Sequence, residues 1–281
     1  MPLQTDVMEI VSSLKQRGEA FVLATVVRTV AVTAAKAGAK AVIKPDGSIT
    51  GGWIGGGCAR AAVLRAARDV LADGQPRLIS IQPPDELATL GVEPGESRQG
   101  VRFARNMCPS QGTMDIFVEP VMPRPNLVIC GSSPVAVALS RLASVMGYSV
   151  TACAPRAEQQ AFDQAETRIE GYTLPVTDSA ERFVVVSTQG KGDEVALRAV
   201  LGIDARYKAF VGSRRKMAAI REKLLAEGAS ADALDAVKAP AGADIGAISP
   251  EEIALSIFAE ITALRRRKLR SGLRSEVPRN P

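Results

Sequence analysis

The apolar positions of this chain fall into short blocks separated by turn residues, and their rhythm changes once. From Phe21 to Thr29, Lys40 to Pro45, Arg77 to Gln82 and Met114 to Val121, apolar runs bounded by turn residues predict strands. Asp46-Gly47, just after Ala41-Val42-Ile43, predicts a hairpin turn. Between Cys58 and Ala72 the spacing of Ala61, Leu64, Arg65, Ala67 and Arg68 predicts an amphipathic helix, and Gly74 is placed to stop it. These elements make a small α+β domain over residues 1–122.

Pro123 and Pro125 frame a linker at 123–126, where neither a helix nor a strand ladder can continue. Beyond it strand and helix alternate. Leu127-Val128-Ile129-Cys130 is a continuous apolar run, as buried parallel strands are. A helix is predicted from Pro134 to Met146, then strands at Tyr148–Cys153, Phe183–Thr188 and Ala209–Gly212, with helical stretches between them. A long helix should run from Pro250 to about Arg270. This βαβαβ alternation predicts a Rossmann-like, doubly wound parallel-sheet domain over 127–281, ending in a helix and a basic tail. The overall class is α/β.

Composition narrows the chemistry. The 281 residues suit two compact domains, and 46% hydrophobic with 23% charged residues is a globular balance. The net charge of +5 is small, and much of it lies in Arg265-Arg266-Arg267-Lys268-Leu269-Arg270. That run could touch nucleic acid, but cations at a helix C-terminus also complement its dipole, and a solvated or partner-docking tail is the simpler reading. With 4% aromatic residues there is little to stack single-stranded bases on, so no nucleic-acid partner is expected. The chain contains no histidine, which excludes Ser-His-Asp triads, Cys-His pairs and His-ligated metals. Cys58, Cys108, Cys130 and Cys153 form no CxxC, and neither a signal peptide nor a membrane span of ~20 apolar residues is evident. Four thiols in such a chain point to the cytoplasm.

Three glycine-containing stretches carry candidate chemistry. Gly131-Ser132-Ser133-Pro134-Val135-Ala136 sits where a dinucleotide fingerprint would, with only its first glycine kept. Small residues preserve its shape, and the helix start behind it favours an anion. No acid follows the second strand directly, where Ala154-Pro155-Arg156 stands, and this argues against NAD. Gly212-Ser213-Arg214-Arg215-Lys216 puts three cations at a helix start, against the dipole. Either an anionic ligand resolves that conflict or the turn is merely solvated. Gly51 to Cys58 holds five glycines in eight residues and ends at a helix start. A cysteine there can be an available thiolate, nucleophilic or soft-metal-binding, or a structural thiol in a tight turn. Cys108, in the turn-rich Asn106-Met107-Cys108-Pro109-Ser110, is the second candidate, whereas Cys130 and Cys153 lie within apolar strands.

Taken in order, these stretches resemble the XdhC/CoxI family of accessory proteins that mature molybdenum hydroxylases. Ala24 to Thr29 (ATVVRT), Gly38-Ala39-Lys40, Asp46-Gly47 and Gly56-Gly57-Cys58 resemble its N-terminal domain. Val211 to Lys216 (VGSRRK), Pro240 to Glu252 (PAGADIGAISPEE) and the helix Ile253 to Ile261 resemble its Rossmann-like domain. The resemblance implies a chaperone rather than an enzyme with turnover of its own. Such a protein binds the molybdenum cofactor, often the cytosine dinucleotide form, and hands it to an apo-hydroxylase such as xanthine or carbon monoxide dehydrogenase. A cofactor-supplying or sulfurating enzyme would be a further partner, and homodimers are common among such proteins. The cofactor would meet Gly56, Gly57, Gly131, Ser132, Ser133, Gly212, Ser213, Arg214, Arg215, Lys216, Asp244 and Gly246, with Cys58 and Cys108 as the reactive, metal-proximal thiols. The chain departs from the family at Ala31 to Ala35, at Ala59-Arg60, at Gly131 to Ala136 and at Ser187 to Lys191. The last two changes remove histidines of the family, and the altered loops are similar to those of the CoxF-like branch. The competing enzyme reading is a nucleotide-dependent oxidoreductase built on the second domain.

Overall fold

The computed structural model describes residues 6–109, 111–174 and 181–274, with side chains as far as residue 266 in the last helix. The chain divides into two units, Met1–Pro123 and Arg124–Pro281. Ser110 of the Cys108 turn and the basic tail beyond Arg274 lie outside the described residues, as do the side chains of Arg267 to Arg270.

The first unit is a mixed seven-stranded sheet. In chain order its strands are β1 (Phe21–Val30), β2 (Lys40–Ile43), β3 (Ile49–Gly52), β4 (Arg77–Gln82), β5 (Ser97–Arg98), β6 (Val101–Arg105) and β7 (Thr113–Val121). Across the sheet the order is β3-β2-β1-β7-β4-β6-β5. The Asp46-Gly47 turn joins β2 to β3 as expected: the Ser48 amide donates to Asp46 Oδ1 at 2.8 Å, and Gly47 takes φ +83°. Helix α1 (Val7–Gln16) and strand β6 were not foreseen, because ten and five residues carry too little periodicity alone. Helix α2 (Gly57–Asp73) lies on the sheet and ends at Gly74 in the left-handed conformation. Its buried stripe is Ala59, Ala62, Val63, Ala66, Ala67 and Val70, so the phase read from Ala61 and Leu64 was about one residue off. Alanines dominate that stripe, and a weakly apolar stripe leaves the helical phase poorly marked.

The second unit is a six-stranded, wholly parallel sheet, as the alternating pattern predicted. Its strands are β8 (Asn126–Cys130), β9 (Ser149–Ala154), β10 (Thr167–Glu170), β11 (Arg182–Val186), β12 (Tyr207–Phe210) and β13 (Val237–Lys238). They lie in the order β10-β9-β8-β11-β12-β13. Numbered from the unit's first strand this is 3-2-1-4-5-6, the dinucleotide-binding arrangement, whose strand order reverses between β8 and β11. Helices α4 (Pro134–Val145) and α8 (Pro250–Arg274) cover one face, and α5 (Asp193–Leu201) and α6 (Arg214–Ala226) the other, around two separate apolar clusters. The short helices α3 (Pro84–Leu90) and α7 (Ala231–Asp235) complete the chain. Arg265, read as part of a solvated run, is instead structural. Its Nε pairs with Glu181 at 2.7 Å, it donates to Tyr148 Oη at 3.1 Å, and it stacks on that ring.

Candidate functional site

In an open parallel sheet, ligands bind beyond the carboxyl ends of the strands at the point where their order reverses. Here that point is flanked by the loops after β8 and β11. The two loops are tied together: the Ser133 and Ser187 hydroxyls are 2.6 Å apart, and the Ser133 amide donates to the Ser187 carbonyl at 3.3 Å. Gly131 makes the approach possible. It has φ +114°, and a Cβ there would lie 2.3 Å from the Ser187 carbonyl oxygen.

Three helices start along this edge, and their electrostatics differ. Helix α5 carries Asp193 and Glu194 in its first turn, so its positive end is already compensated. Helices α4 and α6 have no acid in theirs. Each is capped by a serine: Ser133 Oγ accepts from the Ala136 amide at 3.1 Å, and Ser213 Oγ from the Lys216 amide at 3.2 Å. Each cap satisfies one amide of its first turn and leaves others for an anion. Arg214 and Arg215 are exposed at the start of α6, and neither makes an ion pair among the described residues.

Lys216 stands apart from these arginines, which corrects its place in the basic triplet. Its ammonium pairs with Asp193, whose side chain is 7% exposed, and lies 5.6 Å from the Phe210 ring. Burial opposes ionisation of Asp193. The Lys216 ammonium, the Thr188 hydroxyl and the Gly190 amide (3.2 Å) together outweigh it and hold the carboxyl below the usual carboxylate range. Lys216 therefore braces the loop after β11, and the open cations are the two arginines. Gln189 in the same loop has φ +52°, an unfavourable conformation for a non-glycine residue that such bracing sustains.

The acid missing from the end of the second strand is supplied from further along. After β9 the chain makes a 3₁₀ turn, Arg156–Ala161, which carries Glu158 back to the first loop, where it accepts a hydrogen bond from the Ser132 hydroxyl. The linear sequence shows only Ala154-Pro155-Arg156 at that place, so spacing alone hid it. Strand order, invisible in one sequence, likewise hid Ser187, Thr188 and Asp193 as site residues. Asp244 and Gly246 lie in the loop after β13, which runs back over the sheet: the Ala241 amide donates to the Phe210 carbonyl at the end of β12 (3.0 Å), and the Ala243 amide donates to the Ser256 carbonyl of α8 (3.1 Å).

In the first unit, Cys58 is the second residue of α2, and its N-cap Gly56 offers no side chain to the first-turn amides. A Cβ on Gly56 or Gly57 would meet nothing within 4 Å, so both leave open space beside the backbone. Cys108 lies between β6 and β7, its amide donating to Asn106 Oδ1 at 2.9 Å. The sheet register places the loops carrying both cysteines at one end of the first sheet. Thr113 opens β7 opposite Val30 at the end of β1, and Arg105 ends β6 beside Gln82 at the end of β4. Ala31 (φ 60°) and Gln111 (φ 49°) are strained at this same end, where Val32 bridges Gln111, and Trp53, Met107 and Val32 are exposed. Among the described residues no three Cys, Asp or Glu side chains converge as a metal cage, so at most two thiolates could meet a metal that brings its other ligands.

Cys130 and Cys153 are buried register partners on β8 and β9. The hydrogen bond between Cys130 and Cys153, together with burial, pushes the Cys130 thiol up. On alkylation of the native chain, Cys58 (half-buried) and Cys108 (exposed) are expected to react at least about tenfold faster than this pair, as read by peptide mass spectrometry. Equal rates at all four would remove both candidates.

Family models match most of the chain. Residues 127–261 match the XdhC Rossmann domain, and residues 14–82 match the XdhC and CoxI family. The uncharacterized protein YqeB of Escherichia coli is 26% identical over 235 residues, 81% of this chain and 40% of that protein. A Bacillus subtilis protein named as a probable xanthine dehydrogenase subunit is 28% identical over 166 residues, 55% of this chain and 47% of that protein. The chain thus spans less than half the length of either relative. A crystal structure described as a xanthine dehydrogenase from Bacillus halodurans is similar at 19% identity and a TM-score of 0.44, covering 92% of this chain and 96% of that one.

Proposed function

The chain belongs to the XdhC and CoxI family, and from that premise we propose that it is an accessory protein that binds the molybdenum cofactor and delivers it to an apo-molybdenum hydroxylase. The observation that carries this reading is the edge of the second sheet. There two uncompensated helix starts, the tied loops at Gly131 to Ser133 and Ser187 to Asp193, and the open arginines Arg214 and Arg215 form a cradle for a pyrophosphate. Glu158 beside Ser132 stands where a ribose hydroxyl would be held. That pairing supports a dinucleotide form, the cytosine one in this proposal. The bound cofactor supplies the client's redox centre. This chain's part is to hold the phosphates by Arg214, Arg215 and the amides of α4 and α6, and to keep the loop after β11 in place through Lys216 and Asp193. Cys58 and Cys108 are the proposed soft-metal thiols of the first unit. The clients proposed are xanthine or carbon monoxide dehydrogenase.

Equilibrium dialysis of the full chain against molybdopterin cytosine dinucleotide tests the reading. Arg214→Ala with Arg215→Ala should weaken binding by about tenfold or more and flatten its salt dependence, because two charge-assisted contacts are lost. Unchanged affinity and salt slope in that double variant would return the arginines to a solvated turn. NADH in the same assay tests the oxidoreductase reading. Micromolar uptake of NADH with none of the molybdenum cofactor would overturn the accessory role.

A further inference from the structure

Tyr172 lies at the carboxyl edge of the second sheet and has no part in the cradle described above. It follows β10, after Gly171, whose amide donates to the Ala154 carbonyl at the end of β9 at 3.2 Å. From there the side chain reaches across the sheet. It is half-buried, packs on the apolar cluster that contains Cys153 and Cys130, and ends at Gly192, the N-cap of α5. A Cβ on Gly192 would lie 3.4 Å from both Cε2 and Oη of the ring. A residue placed after β10 thus touches the loop after β11, across the ends of β9 and β8, where the strand order reverses.

The two parts of this side chain differ in what they do. The ring is packed. The hydroxyl makes no hydrogen bond among the described residues, although a phenol in so sheltered a place ordinarily finds a partner. The carboxylates facing it already have donors: Glu158 accepts from Ser132, and Asp193 accepts from Thr188 and Gly190 and pairs with Lys216. Burial, and after it repulsion from Cys130, Glu158, Asp193 and Cys153, push the phenol up. Near neutral pH it therefore keeps its proton and is an unused donor.

The neighbours decide what acceptor suits it. Two carboxylates lie near the hydroxyl, and Glu158 makes no ion pair among the described residues, so a phosphate there would be repelled. The open cations Arg214 and Arg215 stand after β12, on the far side of the reversal. An uncharged oxygen meets no such penalty. We propose that Tyr172 holds the nucleoside of the bound nucleotide, donating its hydroxyl proton to a sugar or base oxygen, and so selects the dinucleotide form of the cofactor over molybdopterin alone. This rests on the cradle's being the nucleotide site, and it gives the nucleoside a second contact beside Glu158.

Calorimetry of the full chain with cytidine diphosphate, ribose 5-phosphate and inorganic pyrophosphate tests the assignment, together with dialysis against molybdopterin cytosine dinucleotide and molybdopterin. Tyr172→Phe keeps the ring on Gly192 and should leave the melting temperature unchanged. It should weaken binding of cytidine diphosphate and of the cytosine dinucleotide by about five- to tenfold, as loss of one hydrogen bond does, and leave pyrophosphate and molybdopterin as in the parent. A loss shared by ribose 5-phosphate puts the acceptor on the sugar, and a loss confined to cytidine diphosphate puts it on the base. The proposal is overturned if the variant binds cytidine diphosphate as the parent does, if pyrophosphate weakens equally, or if the parent binds no nucleotide. Tyr172-dependent binding of cytidine diphosphate without uptake of either molybdenum compound would sustain the nucleoside contact and remove the accessory reading instead.

Discussion

Replacing Gly131 by alanine is expected to destabilise the second unit by about 3–5 kcal/mol, the range of a backbone clash combined with a conformation reserved for glycine. The new Cβ would stand 2.3 Å from the Ser187 carbonyl oxygen and 2.7 Å from the Thr188 Cα, both backbone atoms that cannot swing aside. The φ of +114° adds strain independent of space. Relief requires β8 and β11 to part at their carboxyl ends, the place where the proposed cofactor cradle is tied. Hydrogen exchange in β8 and β11 should therefore accelerate strongly, and cofactor binding should be lost with it. Gly56→Ala is the control, since open space surrounds that position and its φ of −79° is ordinary, and it should cost less than about 1 kcal/mol. Native-like exchange in the Gly131 variant would show that the two loops are not rigidly joined.

How much of this was legible in the residues varied with the kind of signal. The parallel sheet could be read because Leu127 to Cys130 and Phe183 to Val186 are buried on both faces and are therefore apolar without alternation. The helix starts behind Gly131 and Gly212 were visible as strands running into helices, and the structure caps them with Ser133 and Ser213. Contacts formed across strand order were not visible. Glu158 meets Ser132 across 26 positions, and Ser187 meets Ser133 across 54. Lys216 looked like its neighbours Arg214 and Arg215 because a run of cations does not reveal which one turns inward to a buried acid. In the first unit, the two-residue strand β5 and the short α3 carry no period at all. The alanine-rich stripe of α2 marked a helix but misplaced its face.

The same inward pair sets the second large effect. Asp193→Asn keeps the size of the side chain but removes the charge facing Lys216, and it is expected to cost about 2 kcal/mol at neutral pH. Breaking a fully buried pair costs more, about 3–5 kcal/mol. The lower figure follows because the Lys216 side chain is 40% exposed and water can partly take over. The pH dependence has a definite sign. The Asp193 carboxyl sits below its ordinary value in the folded chain, so its contribution is complete above the unfolded pKa of about 3.9 and fades as pH falls through the folded value. The parent should therefore lose stability in acid faster than the variant. Their difference, measured by urea unfolding across a pH series, should be constant above about pH 5 and shrink toward zero below about pH 4. The loop from Thr188 to Gly192 should also loosen in the variant, because Thr188 and Gly190 both donate to Oδ1, a weaker acceptor once the carboxylate becomes an amide. A stability difference that persists undiminished into acid would mean that the carboxylate charge is not what braces the loop, and shape alone would have to explain the pairing.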